Sequence, residues 1–212
     1  MDCPPESEGS RRLRDGMPMT LPIPLPAPCA GFAVEHLAET PAHRKLIRAF
    51  SVGKNAKGLE VYLKESALGE ERAKSSRTYL VTDTGTKELA CYFSLRTFLV
   101  PTESSRGGFD TFSAIELANF AVNESYRAAQ PGATKIGALV FLEFILPIAR
   151  AAASLVGAQL LCVFALPERK LLDYYTKTLG FSRLPSREAE SFVYSRVKQD
   201  YDKGCIFLYQ AL

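Results

Sequence analysis

Hydrophobic and polar positions recur along the chain in two periods, and each change of period marks an element. Residues 31–38 read as a short strand, and residues 41–50 as a helix opened by Thr40 at the N-cap and Pro41 at the first helical position. Leu59, Tyr62 and Leu63 then recur at helical spacing and predict a short amphipathic helix over 57–67, before a Leu68-Gly69 stop. The β-rich run 77–83 leads through Asp83-Thr84-Gly85, a turn sequence, into the apolar run 88–100, which predicts a hairpin. A polar loop over 101–110, carrying Gly107 and Gly108, precedes a third strand over 114–122. The helical period returns from 134 to 156, with Ile136, Val140, Phe144, Ile148 and Leu155 near one stripe, and Pro147 predicts a kink or break in it. Gly157 ends that helix, and the continuous apolar run 159–165 reads as a strand covered on both faces. A helix from Pro167 through Thr176, ended by Gly180, and two strands over 191–197 and 205–210 complete the chain, with a charged turn over 198–204 between those strands.

The order β α α β β β α β α β β, with no repeat or linker dividing it, predicts one α/β domain over residues 31–212. The strand–helix–strand unit within 114–165 predicts a right-handed crossover and a parallel strand pair. The first thirty residues differ. Arg11, Arg12 and Arg14 precede an apolar stretch over 21–30, as in an export signal. Pro18, Pro22, Pro24, Pro26 and Pro28 each remove an amide donor and fix φ, so no helical signal core can form, and a disordered or extended tail is expected.

Composition narrows the function classes. The chain has 212 residues, 47% hydrophobic and 23% charged, which excludes collagen, coiled coil and wholesale disorder. Such a length buries roughly 70% of the unfolded surface, so no disulfide or metal staple is needed. Five cysteines, odd in number and without a CxxC pair, predict a reduced, cytoplasmic protein without a zinc site. The two histidines, His36 and His43, lie close together in sequence and read as structural, which argues against a His-rich metal site or a serine hydrolase triad. The apolar run 136–154 carries Glu143, Pro147 and Arg150, each costly at mid-bilayer depth, so a buried helix and no membrane are expected. A net charge of +3 permits anionic ligands without demanding them.

The most informative junction is the passage from strand 114–122 through small residues into the long helix. The first amides of a helix are unpaired and its dipole is positive there, so this junction can cradle an anion, with Arg127 and Lys135 flanking it. An ordinary strand-to-helix connection explains the local sequence equally well.

The element order resembles the GNAT acyl-CoA N-acyltransferases over residues 32–211. The same holds for Phe120-Ala121-Val122 before Tyr126-Arg127, the Lys135-Ile136-Gly137 helix start and the run DYYTKTLGF. The resemblance implies a mixed, mostly antiparallel sheet with a parallel pair splayed at its centre and helices on both faces. It implies acetyl-CoA as cosubstrate and no metal. Phe120, Ala121 and Val122 would bind the pantetheine arm by main chain, and Arg127, Lys135, Ile136, Gly137 and Ala138 the pyrophosphate. In the family's pyrophosphate loop only the closing Gly137 matches directly, and Arg127 matches the opening arginine if three extra residues lie within 128–135. The Tyr174-Tyr175 pair before Leu179-Gly180-Phe181 is similar to the family ending in which a tyrosine protonates the departing CoA thiolate. A phenol with pKa about 10 suits a thiol of about 8.5. One extra residue separates the pair from Gly180, so the resemblance implies Tyr175 first and Tyr174 second, while helix packing alone explains either.

Acyl transfer needs a neutral amine, and a lysine amine with pKa about 10.4 is almost wholly charged at neutral pH. Glu116, alternating with Ile115 and Leu117, is the candidate base, directly or through water, or else simply a surface residue. An α-amine on an aminoacyl ester has a lower pKa and could dispense with a protein base. Cys91 and Cys162 sit in apolar runs and read as core, so direct transfer without a covalent enzyme intermediate is expected.

Phe50-Ser51-Val52-Gly53, Leu59-Glu60, Tyr62-Leu63 and the run from Ser76 to Leu80 resemble the GNAT toxins of type II toxin–antitoxin modules, which acetylate the amine of aminoacyl-tRNA. Those proteins typically carry a cysteine where Val52 stands. The resemblance implies tRNA, an antitoxin protein and a second copy of the chain as partners. Charge agrees with it, since residues 43–64 hold six Lys or Arg against one acid, Glu60. Lys54, Lys57 and Asn119 are the candidate acceptor contacts, although a solvated helical face explains the charge as well. Two alternatives stand beside this reading. One is a small-amine or protein-lysine acetyltransferase, the other an inactive GNAT-fold binding module.

Overall fold

The computed structural model describes residues 24–104, 107–130, 135–197 and 204–212. Within them, β1 (Phe32–His36), β2 (Arg77–Asp83), β3 (Leu89–Glu103), β4 (Phe109–Val122), β5 (Leu160–Ala165), β6 (Ser182–Arg183) and β7 (Ile206–Ala211) form one sheet in the order β1-β2-β3-β4-β5-β7-β6. Every pairing is antiparallel except β4 with β5. The expected hairpin is present. Asp83 Oδ1 accepts from the Gly85 and Thr86 amides at 2.7 and 3.0 Å and so closes its turn. The polar loop expected over 101–110 is shorter than predicted, because β3 and β4 continue pairing out to Glu103 opposite Phe109.

The helices are α1 (Pro41–Ala49), α2 (residues 57–73), α3 (Glu124–Ala129), α4 (Ile136–Val156), α5 (residues 169–178) and α6 (Arg187–Arg196). One face of the sheet carries α4 and α5 over the largest core, which includes Phe93, Leu117, Phe141, Phe144, Ile145 and Leu161. The other face carries α1 and α2 over Leu80, Tyr92 and Ala121 at one end, and α6 over Val100, Cys162 and Phe207 at the other. The apolar run expected to be a buried helix is α4. It is long and apolar enough to cross a membrane, and it packs Phe141, Phe144, Ile145, Ile148 and Ala149 on the sheet.

Other parts of the chain differ from expectation. Residues 191–197, predicted as a strand from their alternation, lie largely in α6: Ser186 Oγ caps the Ala189 amide at 3.2 Å, and Glu188 and Glu190 sit favourably in the first turn. Leu68-Gly69 does not stop α2, which runs on to a left-handed Lys74. Pro147 neither breaks nor ends α4, because a π turn over Phe141–Ile145 shifts the register just before it, with the Leu146 amide donating to the Phe141 carbonyl. The connection after β4 contains α3, which the sequence left as loop. A two-residue strand, β6, pairs with β7 beyond those predicted. Of the segment expected to be a tail, residues 1–23 lie outside the described residues, as do residues 131–134 of the proposed pyrophosphate loop and 198–203 of the charged turn. Leu25 and Cys29 pack against the main core.

Candidate active site

The site forms where the parallel pair opens. β4 and β5 are in register only from Ala114 opposite Leu160 to Glu116 opposite Cys162. Beyond that point β5 continues beside β7 to Ala165 and β4 continues beside β3 to Val122. The two strands therefore diverge, and past Leu117 the β4 edge on the β5 side has no strand partner among the described residues, which leaves its backbone groups available for a ligand.

A cleft of about 430 Å³ adjoins this fork. Phe120, Ala121 and Val122 line it from β4, Arg127 from α3 and Gln130 just after it, Lys135, Ile136 and Gly137 from the start of α4, and Leu171, Tyr174 and Tyr175 from α5. The structure thus brings together seven of the eight residues expected to hold the cosubstrate. The eighth, Ala138, packs its side chain against the main core. Lys135 takes a left-handed conformation at the N-terminal edge of the 21-residue α4, so the unpaired amides and positive dipole end of a long helix face the cleft.

The extra residue between the tyrosine pair and Gly180 is accommodated by a π turn over Tyr174–Thr178, in which the Leu179 amide donates to the Tyr174 carbonyl at 3.1 Å. The two rings diverge from it. Tyr175 is buried in the main core, edge-on to Phe181 at 5.5 Å. Tyr174 reaches over the start of α4, where its Oη would lie 2.8 Å from a β-carbon placed on Gly137. That Oη is buried and has no hydrogen-bond partner among the described residues. Burial raises both phenols, that of Tyr174 to about 12 with a lesser contribution from Cys91, and that of Tyr175 further, so both are protonated across the neutral range.

The other expected site residues lie elsewhere. Glu116 is 1% exposed on the α1, α2 and α6 face, where Arg96 grips it: Nε donates to Oε2 at 2.8 Å and Nη2 to Oε1 at 3.1 Å. It is therefore not a surface residue, and accepting a proton would disrupt a buried ion pair. Asn119 points to the same face, its Nδ2 donating to Ser94 Oγ at 2.8 Å. Lys54 is exposed in a 3₁₀ turn, while Lys57 and Lys64 both reach Glu60, at 2.7 and 2.8 Å. His36 and His43 serve the fold: His36 Nε2 bonds Glu71, and His43 Nδ1 accepts the Ala38 amide at 3.0 Å. Burial raises the thiols of Cys91 and Cys162, which keeps them unreactive. Among the described residues no group of three or more His, Cys, Asp and Glu side chains is placed to hold a metal.

Sequence reasoning missed Asn123, the residue after β4. It is buried, caps the Ser125 amide and ties β3 to the loop after α1. The available signal was an Asn immediately before a helix, hidden because α3 itself went unrecognised.

A seven-stranded sheet with a single splayed parallel pair and a cleft at the fork defines the GNAT acyltransferase fold. No protein-family profile and no curated protein matches the sequence. Solved structures do. A tyrosine-to-phenylalanine mutant of the toxin AtaT is similar with a TM-score of 0.60 and 17% identity, over 90% of this chain and 95% of that one. A tyrosine-to-phenylalanine mutant of KacT is similar with a TM-score of 0.57 and 18% identity, over 85% and 95% of the two chains. AtaT complexed with acetyl-methionyl-tRNAfMet is similar with a TM-score of 0.55 and 17% identity, over 85% and 94%. At such identities the likeness is one of fold.

Proposed function

We propose that this chain is an acetyl-CoA-dependent N-acetyltransferase whose acceptor is the amino group of an aminoacyl-tRNA. The observation that carries the enzyme reading is the divergence of β4 from β5 beside a cleft lined by Tyr174, whose buried phenol has no hydrogen-bond partner among the described residues. Acetyl-CoA bound there supplies an activated thioester. The β4 edge at Phe120 and Val122 would hold the pantetheine arm, and the start of α4 with Arg127 and Lys135 the phosphates. As the amine nitrogen bonds to the acetyl carbon and the carbon–sulfur bond breaks, Tyr174 would pass its proton to the departing sulfur, and the proton released by the nitrogen would return to the phenolate through water. Tyr174 takes this role ahead of Tyr175 because its Oη lies over the start of α4 with no partner among the described residues, whereas Tyr175 is buried edge-on to Phe181 in the main core.

The acceptor reading rests on what the cleft does not offer. Among the described residues lining it none is Asp, Glu or His, and Glu116 is committed to Arg96. An acceptor of lysine-like pKa would need a base, whereas the less basic α-amine of an aminoacyl ester would not. AtaT, similar in fold, has been solved with acetyl-CoA and with acetyl-methionyl-tRNAfMet, which supports this choice.

The test begins with a calorimetric titration of acetyl-CoA and continues with acetyl transfer to charged tRNA, free lysine and a lysine peptide. Micromolar binding and transfer to charged tRNA are expected. Tyr174→Phe should keep that affinity and lose roughly 10² to 10⁴ in kcat. The same loss in Tyr175→Phe alone would exchange the two roles. Transfer to lysine but not to tRNA would establish the small-amine or protein-lysine reading. Absence of binding at millimolar ligand would leave a binding module.

A further inference from the structure

Asn123 stands between two parts of the molecule that the chain places 72 residues apart. On one side it follows Val122, the last β4 residue lining the cleft, and its own amide donates to the Ala90 carbonyl at 2.8 Å while Nδ2 donates to the Leu89 carbonyl at 2.7 Å. On the other side its Oδ1 accepts from the Ser51 amide at 3.3 Å, from Ser51 Oγ at 3.5 Å and from the Ser125 amide at 3.2 Å. The contact is reinforced around it. The Glu124 amide donates to the Ser51 carbonyl at 2.9 Å, and Ser51 Oγ and Ser125 Oγ share a hydrogen bond of 2.6 Å.

Ser51 opens the loop between α1 and α2. From there the Val52 amide donates to Glu60 Oε2 at 3.2 Å, the Ala56 amide closes a turn on the Gly53 carbonyl at 2.9 Å, and Glu60 holds Lys57. The side chain at 123 must therefore donate to a β3 carbonyl and accept from loop and helix amides at once. An amide does both; a carboxylate lacks the donor, and a serine is too short to span the partners.

We propose that Asn123 is a positioning residue that couples the cleft to the loop over residues 50–56, so that a ligand on the β4 edge orders the loop that carries Lys54 and leads into Lys57. The proposal rests on the cleft being the acetyl-CoA site. Physically, a ligand bonded to the backbone of Phe120 and Val122 suppresses local opening of the β4 end. Asn123 passes that restraint to Ser51, because its bonds to both sides break together or not at all.

Native-state hydrogen exchange with coenzyme A as the probe tests this. At about 100 times the dissociation constant, ligand can slow exchange through a linked opening by up to about 100-fold. In the wild type the amides of Ala138 and Leu139, at the start of α4, should slow on binding, and those of Val52 and Ala56 in the loop should slow about tenfold or more. In Asn123→Ser, which can still cap the Ser125 amide, Ala138 and Leu139 should respond and Val52 and Ala56 should not. Asn123→Asp keeps the acceptor for Ser51 but has no donor for the Leu89 carbonyl, so it should lose the loop response as well. A role confined to stability would lower protection everywhere without changing where the ligand's effect reaches. An undiminished loop response in Asn123→Ser, or none in the wild type beside a response at Ala138, overturns the coupling. So does an undiminished loop response in Asn123→Asp. If Ala138 and Leu139 fail to respond in the wild type, the cleft reading falls and the coupling falls with it.

Discussion

At the scale of single residues the site depends on close approaches. Gly137 is the sharpest case. Alanine there would favour the helix by up to about 1 kcal/mol, but its β-carbon would lie 2.8 Å from Tyr174 Oη, so the phenol must move. Gly137→Ala should leave the melting temperature nearly unchanged and lower kcat by about 10²-fold, the usual cost of misplacing a reacting group by an ångström. An active Gly137→Ala enzyme would exclude Tyr174 as the proton donor. Glu60 gives a prediction in pH. Its hydrogen bonds with Lys57, then Lys64, hold its carboxyl at about 2 against an ordinary 4.5. A depressed carboxyl adds stability that is complete above its ordinary value and is lost as pH falls toward the depressed one. Lys57→Ala should therefore raise the Glu60 midpoint followed by carboxyl NMR; an unmoved midpoint would show that Lys64 alone sets it.

At the scale of elements the placement of α2 matters most, because it carries Lys57 and Lys64 of the basic segment and is held from inside. Glu71, with no exposed surface, accepts from His36 Nε2 and Arg77 Nη1 at 3.0 Å and from the Thr78 amide, joining α2 to β1 and β2. Glu71→Ala strands Arg77 and the Thr78 amide without their acceptor and should cost about 3–5 kcal/mol in denaturant unfolding. A loss below about 1 kcal/mol would mean that water replaces the carboxylate. The helices also show how much of the elements is legible in sequence. Thr40 and Pro41 predicted the start of α1, and Thr40 Oγ1 does accept the His43 amide at 3.1 Å. The alternation in SFVYSRV predicted a strand, yet only Val193 of α6 is buried, and Tyr194 instead bridges the Cys205 carbonyl and the Phe207 amide at 2.6 and 2.8 Å. Short runs hold too few buried positions for their period to decide between the two structures.

At the scale of the whole molecule, ligand binding and stability are linked. Acetyl-CoA at about 100 times its dissociation constant should stabilise the folded chain by about 2.7 kcal/mol, which for a chain of this size raises the melting temperature by roughly 5–10 °C. Arg127→Ala should reduce that shift if the guanidinium meets phosphate at the mouth of the cleft. An unchanged melting temperature at saturating ligand would remove the cleft as a cosubstrate site.

Sequence alone determined the elements with long periods or strong turn chemistry: the hairpin closed by Asp83, the long helix from Ile136, and the strand–helix–strand unit that places β4 beside β5. It also brought most of the cleft residues together on paper, because strand end, loop and helix start are contiguous in the chain. Only the tertiary structure decided the rest. The π turns depend on packing at both ends of a helix, and one of them sends Tyr174 and Tyr175 to different surroundings. The commitment of Glu116 to Arg96 crosses 20 residues, and the Asn123 clamp crosses 72. A hydrophobic pattern records which face of an element is buried; it carries no record of which distant partner satisfies a buried polar group, and here those partners shape the site.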